Sequence, residues 1–279
     1  LRFGNTPDQF LALHQAAESI LKSLPPDTVL GLAPHSLRAV TPHGLTLATT
    51  LGGPIHIHIA EQQAEVAELL NATNQRPVDW LLTHHDVNHR WCLIHATQME
   101  PQETLAVAHT QAIAGLCPIT EANLGDGIFD GQRFVQANGR FGIGSDSNVK
   151  ISLIEELRLL EYSQRLAQKG RAILATADKS TGRTLYDGAV QGGAQAAARP
   201  AGIAPGNWAD LLHLTLQGPD LQGVQGDTIL DTFIFAGCDR LITDLWSAGR
   251  HLVQNGQHHA RAQVQTRYAK TVARLRGAL

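Results

Sequence analysis

Cysteine is scarce in this sequence: Cys92, Cys117 and Cys238 stand far apart, and no two form a CxxC pair. That excludes a disulfide scaffold and suits a reducing, cytoplasmic setting. Charge of one sign is lacking too. A formal balance of −3 leaves no basic surplus, which argues against a dedicated nucleic-acid binder. No apolar run approaches a bilayer span and no signal peptide opens the chain, so no membrane partner is expected. No Walker-A, GxGxxG or GxSxG string stands in a strand–turn–helix setting, so phosphate-loop and nucleophile-elbow chemistry has no support. Methionine occurs once, as Met99, and the chain opens Leu1-Arg2-Phe3, the pattern expected of an N-terminally truncated chain.

What is present is an alternation of strands and helices. Residues 7–22 place Phe10, Leu11, Leu13, Ala17, Ile20 and Leu21 at helical spacing, and Pro25-Pro26 ends that helix. TVLGLAPHS (28–36), PIHIHIA (54–60), WCLIHAT (91–97), AIAGLCPI (112–119) and RFGIGSDS (140–147) read as five strands. Helices are expected around 43–51, over 61–71 with Val66, Leu69 and Leu70 inward, and over 101–109. A long one follows Ser152-Leu153-Ile154-Glu155, which has the form of a capping box, and carries Leu157, Leu160 and Leu166. TEANLGDGIFDG (120–131) reads as a glycine-rich loop.

Near-continuous apolar strands between helices mean a parallel sheet covered on its faces. Reactive residues at the C-terminal ends of successive strands point to a (β/α)8 barrel, where a doubly wound sheet would gather them at one switch point. The expected fold class is therefore α/β: the C-terminal portion of a (β/α)8 barrel plus part of a small β-sandwich domain. Residues 1–200 would carry barrel strands 4–8, with roughly three more strands upstream. Residues 201–260, where short β-rich runs are broken by Gly, Asn and Asp, would be the sandwich portion, and 261–279 a C-terminal helix.

The strand ends carry His35 and Arg38 (APHSLR), His58 and Glu61 (HIHIAE), His95 (LIHAT) and Asp146 (GIGSDS). One histidine on an apolar strand is usually a hydrogen-bonded core residue; four reactive groups at matching strand ends favour a site. Imidazole nitrogen and carboxylate oxygen are the ligands of a catalytic zinc, and His58 and Asp146 are the candidate metal ligands. His56 shares a face with His58. It would sit one layer deeper in a structural role, though a rival arrangement has both imidazoles chelating one metal. Glu61 can turn toward a metal-activated water, or serve as a first-turn glutamate favoured by the helix dipole. Arg38 and His35 suit a carboxylate ligand, or an interface salt bridge. Asn123 is a candidate ligand donor, and Cys117 a buried small residue.

HIHIAE, LIHAT and GIGSDS, with GIAPGNWADLL nearer the end, resemble the amidohydrolase superfamily of metal-dependent deaminases. APHSLRAV, RWCLIHAT, CPITEANLGDGIF and LIEELRLLEY are similar to its branch that deiminates N-formimino-L-glutamate, over essentially the whole chain. The resemblance implies one divalent metal, zinc or iron, held by His58 and Asp146 together with an HxH motif at the end of the family's first strand, a region absent here. It implies Glu61 as proton shuttle and His95 as the group that polarises the imine nitrogen and stabilises the tetrahedral intermediate. It further implies His35 and Arg38 as anchors for a small dicarboxylate substrate, and a homodimer. Gln98 stands where the family usually shows a second histidine in HATHM, and Asn148 where GSDSHV is usual.

Overall fold

The computed structural model describes residues 4–278. Residues 1–3, on which the expectation of a truncated start rests, and residue 279, the end of the expected C-terminal helix, lie outside the described residues.

Four strands form a parallel sheet in the order β1-β2-β3-β4: β1 Ile55–Ile59, β2 Trp91–His95, β3 Ile113–Leu116 and β4 Arg140–Ile143. β1 alternates as its sequence dictates. Ile55, Ile57 and Ile59 are buried in the core, and His56 and His58 share the other, half-buried face. The run 28–36 does not form a regular strand. It touches β1 through two parallel bridges, Leu32 to Ile55 and Ser36 to His58. Pro34, which has no N–H to give a ladder, stands between them. The sheet therefore has four regular strands and one irregular edge, and it is not closed into a barrel among the described residues.

The helices of this part are α1 Pro7–Leu21, α2 Pro42–Thr49, α3 Gln63–Thr73, α4 Pro77–His84, α5 Pro101–Thr110, α6 Pro118–Leu124, α7 Gly131–Gln136, α8 Leu153–Gln168 and α9 Thr181–Ala196. α9 lies on β4 at very close range: a Cβ on Gly192 would collide with the carbonyl of Phe141. A second, antiparallel sheet follows, with β5 Leu211–Leu214, β6 Ile242–Ser247, β7 Arg250–Gln254 and β8 Gln257–His258 in sequence order. α10 Thr228–Phe235 comes between β5 and β6, and α11 Arg261–Arg276 is the expected polar terminal helix, with no buried residue.

Four further sequence expectations are corrected. α1 buries none of its residues fully: Phe10 packs against the edge of the core and α2 lies alongside, while Leu13 and Ile20 are each 57% exposed. Leu70 and Leu166 likewise face outward. The capping box at Ser152 does not form: the Ser152 hydroxyl donates to Asp239 at 3.0 Å, and Glu155 pairs with Lys150 instead. The supposed loop 120–131 begins within helix α6, so only residues 125–130 are loop.

Candidate active site

The strand ends are held in uncommon backbone conformations. Ala60 (φ 49°) follows β1, His95 (φ 68°) and Ala96 (φ 51°) end β2, and Asp146 (φ 40°) follows β4. None is glycine, so each left-handed residue costs on the order of 1–3 kcal/mol and persists only where its surroundings over-determine it. The surroundings do so. Both oxygens of buried Glu65 accept backbone N–H groups, from Ala60 at 3.0 Å and Glu61 at 2.8 Å. Ala96 N–H donates to Ile59 O at 3.1 Å, tying the two bends together.

These bends aim side chains at one point. His95 is 1% exposed, and its Nε2 lies 3.7 Å from Glu61 Oε1 and 4.0 Å from Asp146 Oδ2. The His58 ring stands 5.5 Å from the His95 ring, and His35 stacks on His58 at 4.9 Å. Five of the six expected site residues, His35, His58, Glu61, His95 and Asp146, therefore border one another. Arg38 does not join them: it is exposed, and its Nη1 lies 3.7 Å from Glu68 Oε2. Asn123 is exposed on α6.

The hydrogen bonds sort the two histidines of β1. His56 Nε2 donates to the carbonyl of Ala196 at 2.9 Å, joining the strand to the end of α9. His58 Nδ1 donates to the carbonyl of His35 at 2.8 Å. A carbonyl can only accept, so this bond sets the tautomer and leaves His58 Nε2 with a free lone pair. That is the usual preparation of a metal-binding imidazole.

Behind His95 stands Glu121, which sequence reasoning quoted but gave no role. Its Oε1 accepts from His95 Nδ1 at 3.2 Å and from Cys117 N–H at 2.9 Å. Burial works against the charged form of His95. The Glu121 hydrogen bond and the carboxylates of Glu121, Glu61 and Asp146 outweigh it, so the pKa stands above the usual histidine value. His95, Cys117 and Glu121 also bring ligand atoms within 4.8 Å of one another, an arrangement that suggests a metal site. Within it, burial and the nearby carboxylates push the Cys117 thiol well up, so the thiolate a metal would need is disfavoured. Glu65 and Glu121 share a signal that a sequence can carry: each lies four residues past the strand-end N–H it accepts.

Gln98 bridges the neighbouring loops. Its amide donates to the carbonyl of Asp126, and Gln62 donates to the Asp126 carboxylate at 3.1 Å, fastening loop 125–130 over β2. Asn148 accepts from Ser145 Oγ at 2.9 Å, in the turn that carries Asp146.

Residues 6–252 match the model of the amidohydrolase family. A formimidoylglutamate deiminase of Pseudomonas aeruginosa is 47% identical over 274 residues, which cover 95% of this chain and 60% of that protein. The crystal structure of an amidohydrolase from Brucella melitensis superposes with a TM-score of 0.94 at 48% identity, covering 98% of this chain and 61% of that one. A zinc-bound adenosine deaminase from Xanthomonas campestris has a TM-score of 0.85 at 23% identity, covering 99% and 63%, a likeness of fold alone. The chain thus spans about 60% of the length of the relatives it matches.

Proposed function

The chain belongs to the amidohydrolase family, and on that premise we propose that the protein deiminates N-formimino-L-glutamate hydrolytically, giving N-formyl-L-glutamate and ammonia in histidine degradation. The observation that carries the reading is the gathering of Glu61, Asp146 and His58 around His95. The 47% identity to a formimidoylglutamate deiminase directs it to this substrate.

His58 and Asp146 would hold the metal, and the free lone pair on His58 Nε2 fits that duty. Zinc suits the donors, as would iron. The ion would supply a Lewis acid that eases loss of a proton from water near neutral pH. Asp146 takes the proton from the attacking water as its oxygen bonds to the formimino carbon. Glu61, 3.7 Å from His95, carries a proton to the departing nitrogen. The C–N bond then breaks, ammonia leaves and an N-formyl amide remains. His95 Nε2 faces the reacting imine, where a fixed dipole stabilises developing charge. His35 and Arg38 bind the substrate carboxylates and align the carbon. For Arg38 this means exchanging Glu68 for substrate.

In the same reading the parallel sheet is part of a (β/α)8 barrel within residues 1–200, with a β-sandwich portion over 201–260. The test is ammonia release from N-formimino-L-glutamate by the intact protein supplied with zinc. Turnover is expected. Inactivity on it, with reaction of a purine or guanidino substrate, rejects the assignment in favour of another deaminase.

A further inference from the structure

Glu121 is the group behind His95 that the reaction as derived does not use. It is 4% exposed and lies on α6, after β3, while His95 ends β2. The hydrogen bond between them therefore joins two consecutive strand–helix units. One oxygen, Oε1, meets both the His95 ring at 3.2 Å and the Cys117 N–H at 2.9 Å. The Cys117 bond locks that oxygen against the start of α6. Because the oxygen serves a backbone N–H as an acceptor, it meets the ring as an acceptor too, and His95 Nδ1 carries the hydrogen. The opposite nitrogen, Nε2, is then the one turned to Glu61 and Asp146.

Orientation matters here because the backbone offers the ring little help. His95 sits at φ 68°, a conformation L-residues rarely adopt, and the next residue is left-handed as well. A ring on such a bend keeps one rotamer and one tautomer only if something outside the bend fixes it. Among the described residues, Glu121 makes the one hydrogen bond to that ring within normal distance. We propose that Glu121 is a positioning residue: its carboxylate holds the Nδ1 hydrogen and the plane of His95, in the neutral and the charged ring alike, so that Nε2 faces the reacting imine. The proposal rests on the deiminase reading for what His95 does, but not for how the ring is held.

The same triad could instead be a metal site, and the two readings separate experimentally. In long-range proton–nitrogen spectra of the substrate-free intact protein labelled with 15N-histidine, the His95 ring of the wild type should carry its proton on Nδ1. Glu121→Gln, which keeps an acceptor oxygen, should preserve that signal, and Glu121→Leu should lose it. In turnover, Glu121→Leu should lower kcat about 10- to 100-fold, the range seen when the carboxylate that orients a metal-bound imidazole is removed. KM should change little, and Glu121→Gln should restore most of the rate. A wild-type ring protonated on Nε2 alone overturns the proposal, as do equal losses in the two variants when both are folded. Should Glu121→Leu fail to fold, the wild-type and Glu121→Gln spectra still decide. A thiolate charge-transfer band on adding cobalt(II), abolished by Cys117→Ala, also overturns it by making Glu121 a ligand. The ring spectrum needs no substrate, so a wild type inactive on N-formimino-L-glutamate rejects the function and leaves this test standing.

Discussion

Replacing Glu156 with glutamine tests the electrostatics beneath the site. Glu156 belongs to α8, is 1% exposed, and through Oε2 accepts the Ile119 N–H at 2.8 Å. Its Oε1 is buried with no hydrogen-bond partner among the described residues. Burial pushes the carboxyl up from 4.5 to about 7. The Ile119 bond opposes that rise, and the charges of Glu121 and Asp146 add to it. Between those two values the folded protein keeps a proton that the unfolded chain has released. Stability therefore falls as pH rises through this window, and the cost is complete above the folded pKa. At about 1.36 kcal/mol per pH unit, the interval from 4.5 to about 7 costs ~3 kcal/mol. Glu156→Gln has no proton to lose and keeps an acceptor for Ile119. Measured by urea unfolding, its stability relative to wild type should improve by about 2–3 kcal/mol from about pH 5 to about pH 8. A difference unchanged between the two pH values would mean that the native carboxylate is already ionised at the lower one, and would refute the reasoning.

Arg38→Ala should leave stability nearly untouched, because an exposed ion pair such as Arg38–Glu68 is worth under about 1 kcal/mol. It should raise KM for N-formimino-L-glutamate roughly 10-fold or more through loss of a charged hydrogen bond; an unchanged KM would remove Arg38 from the substrate site. Gly192→Ala drives a methyl into the Phe141 carbonyl where α9 crosses β4. It should cost about 1–3 kcal/mol or more, seen as a lower thermal midpoint, and an unchanged midpoint would show that α9 can lift away freely.

Much of the parallel sheet is legible because its strands are buried on their own terms. The apolar runs WCLIH and IAGL read as covered strands in any register, and the alternation of IHIHI itself says which face is core. Helical stripes are less reliable. Leu13 and Ile20 have the right spacing to be buried, yet they are exposed, because spacing says which face is apolar and nothing about what covers it. Ser152 and Glu155 fail in the same way. A capping box competes with tertiary partners, and here Asp239, 87 residues away, wins the serine.

The sequence by itself determined which residue types stand at the strand ends: imidazoles alternating with the isoleucines of β1, a histidine closing β2, an aspartate after β4. Only the tertiary structure decided their duties. The Ala196 carbonyl claims His56 from 140 residues away, the His35 carbonyl frees His58 Nε2, and Glu121 reaches His95 from the next strand–helix unit. The physical reason is one of range. Strand periodicity follows from neighbours along the chain, whereas a histidine's tautomer follows from whichever acceptor folding brings to its other nitrogen.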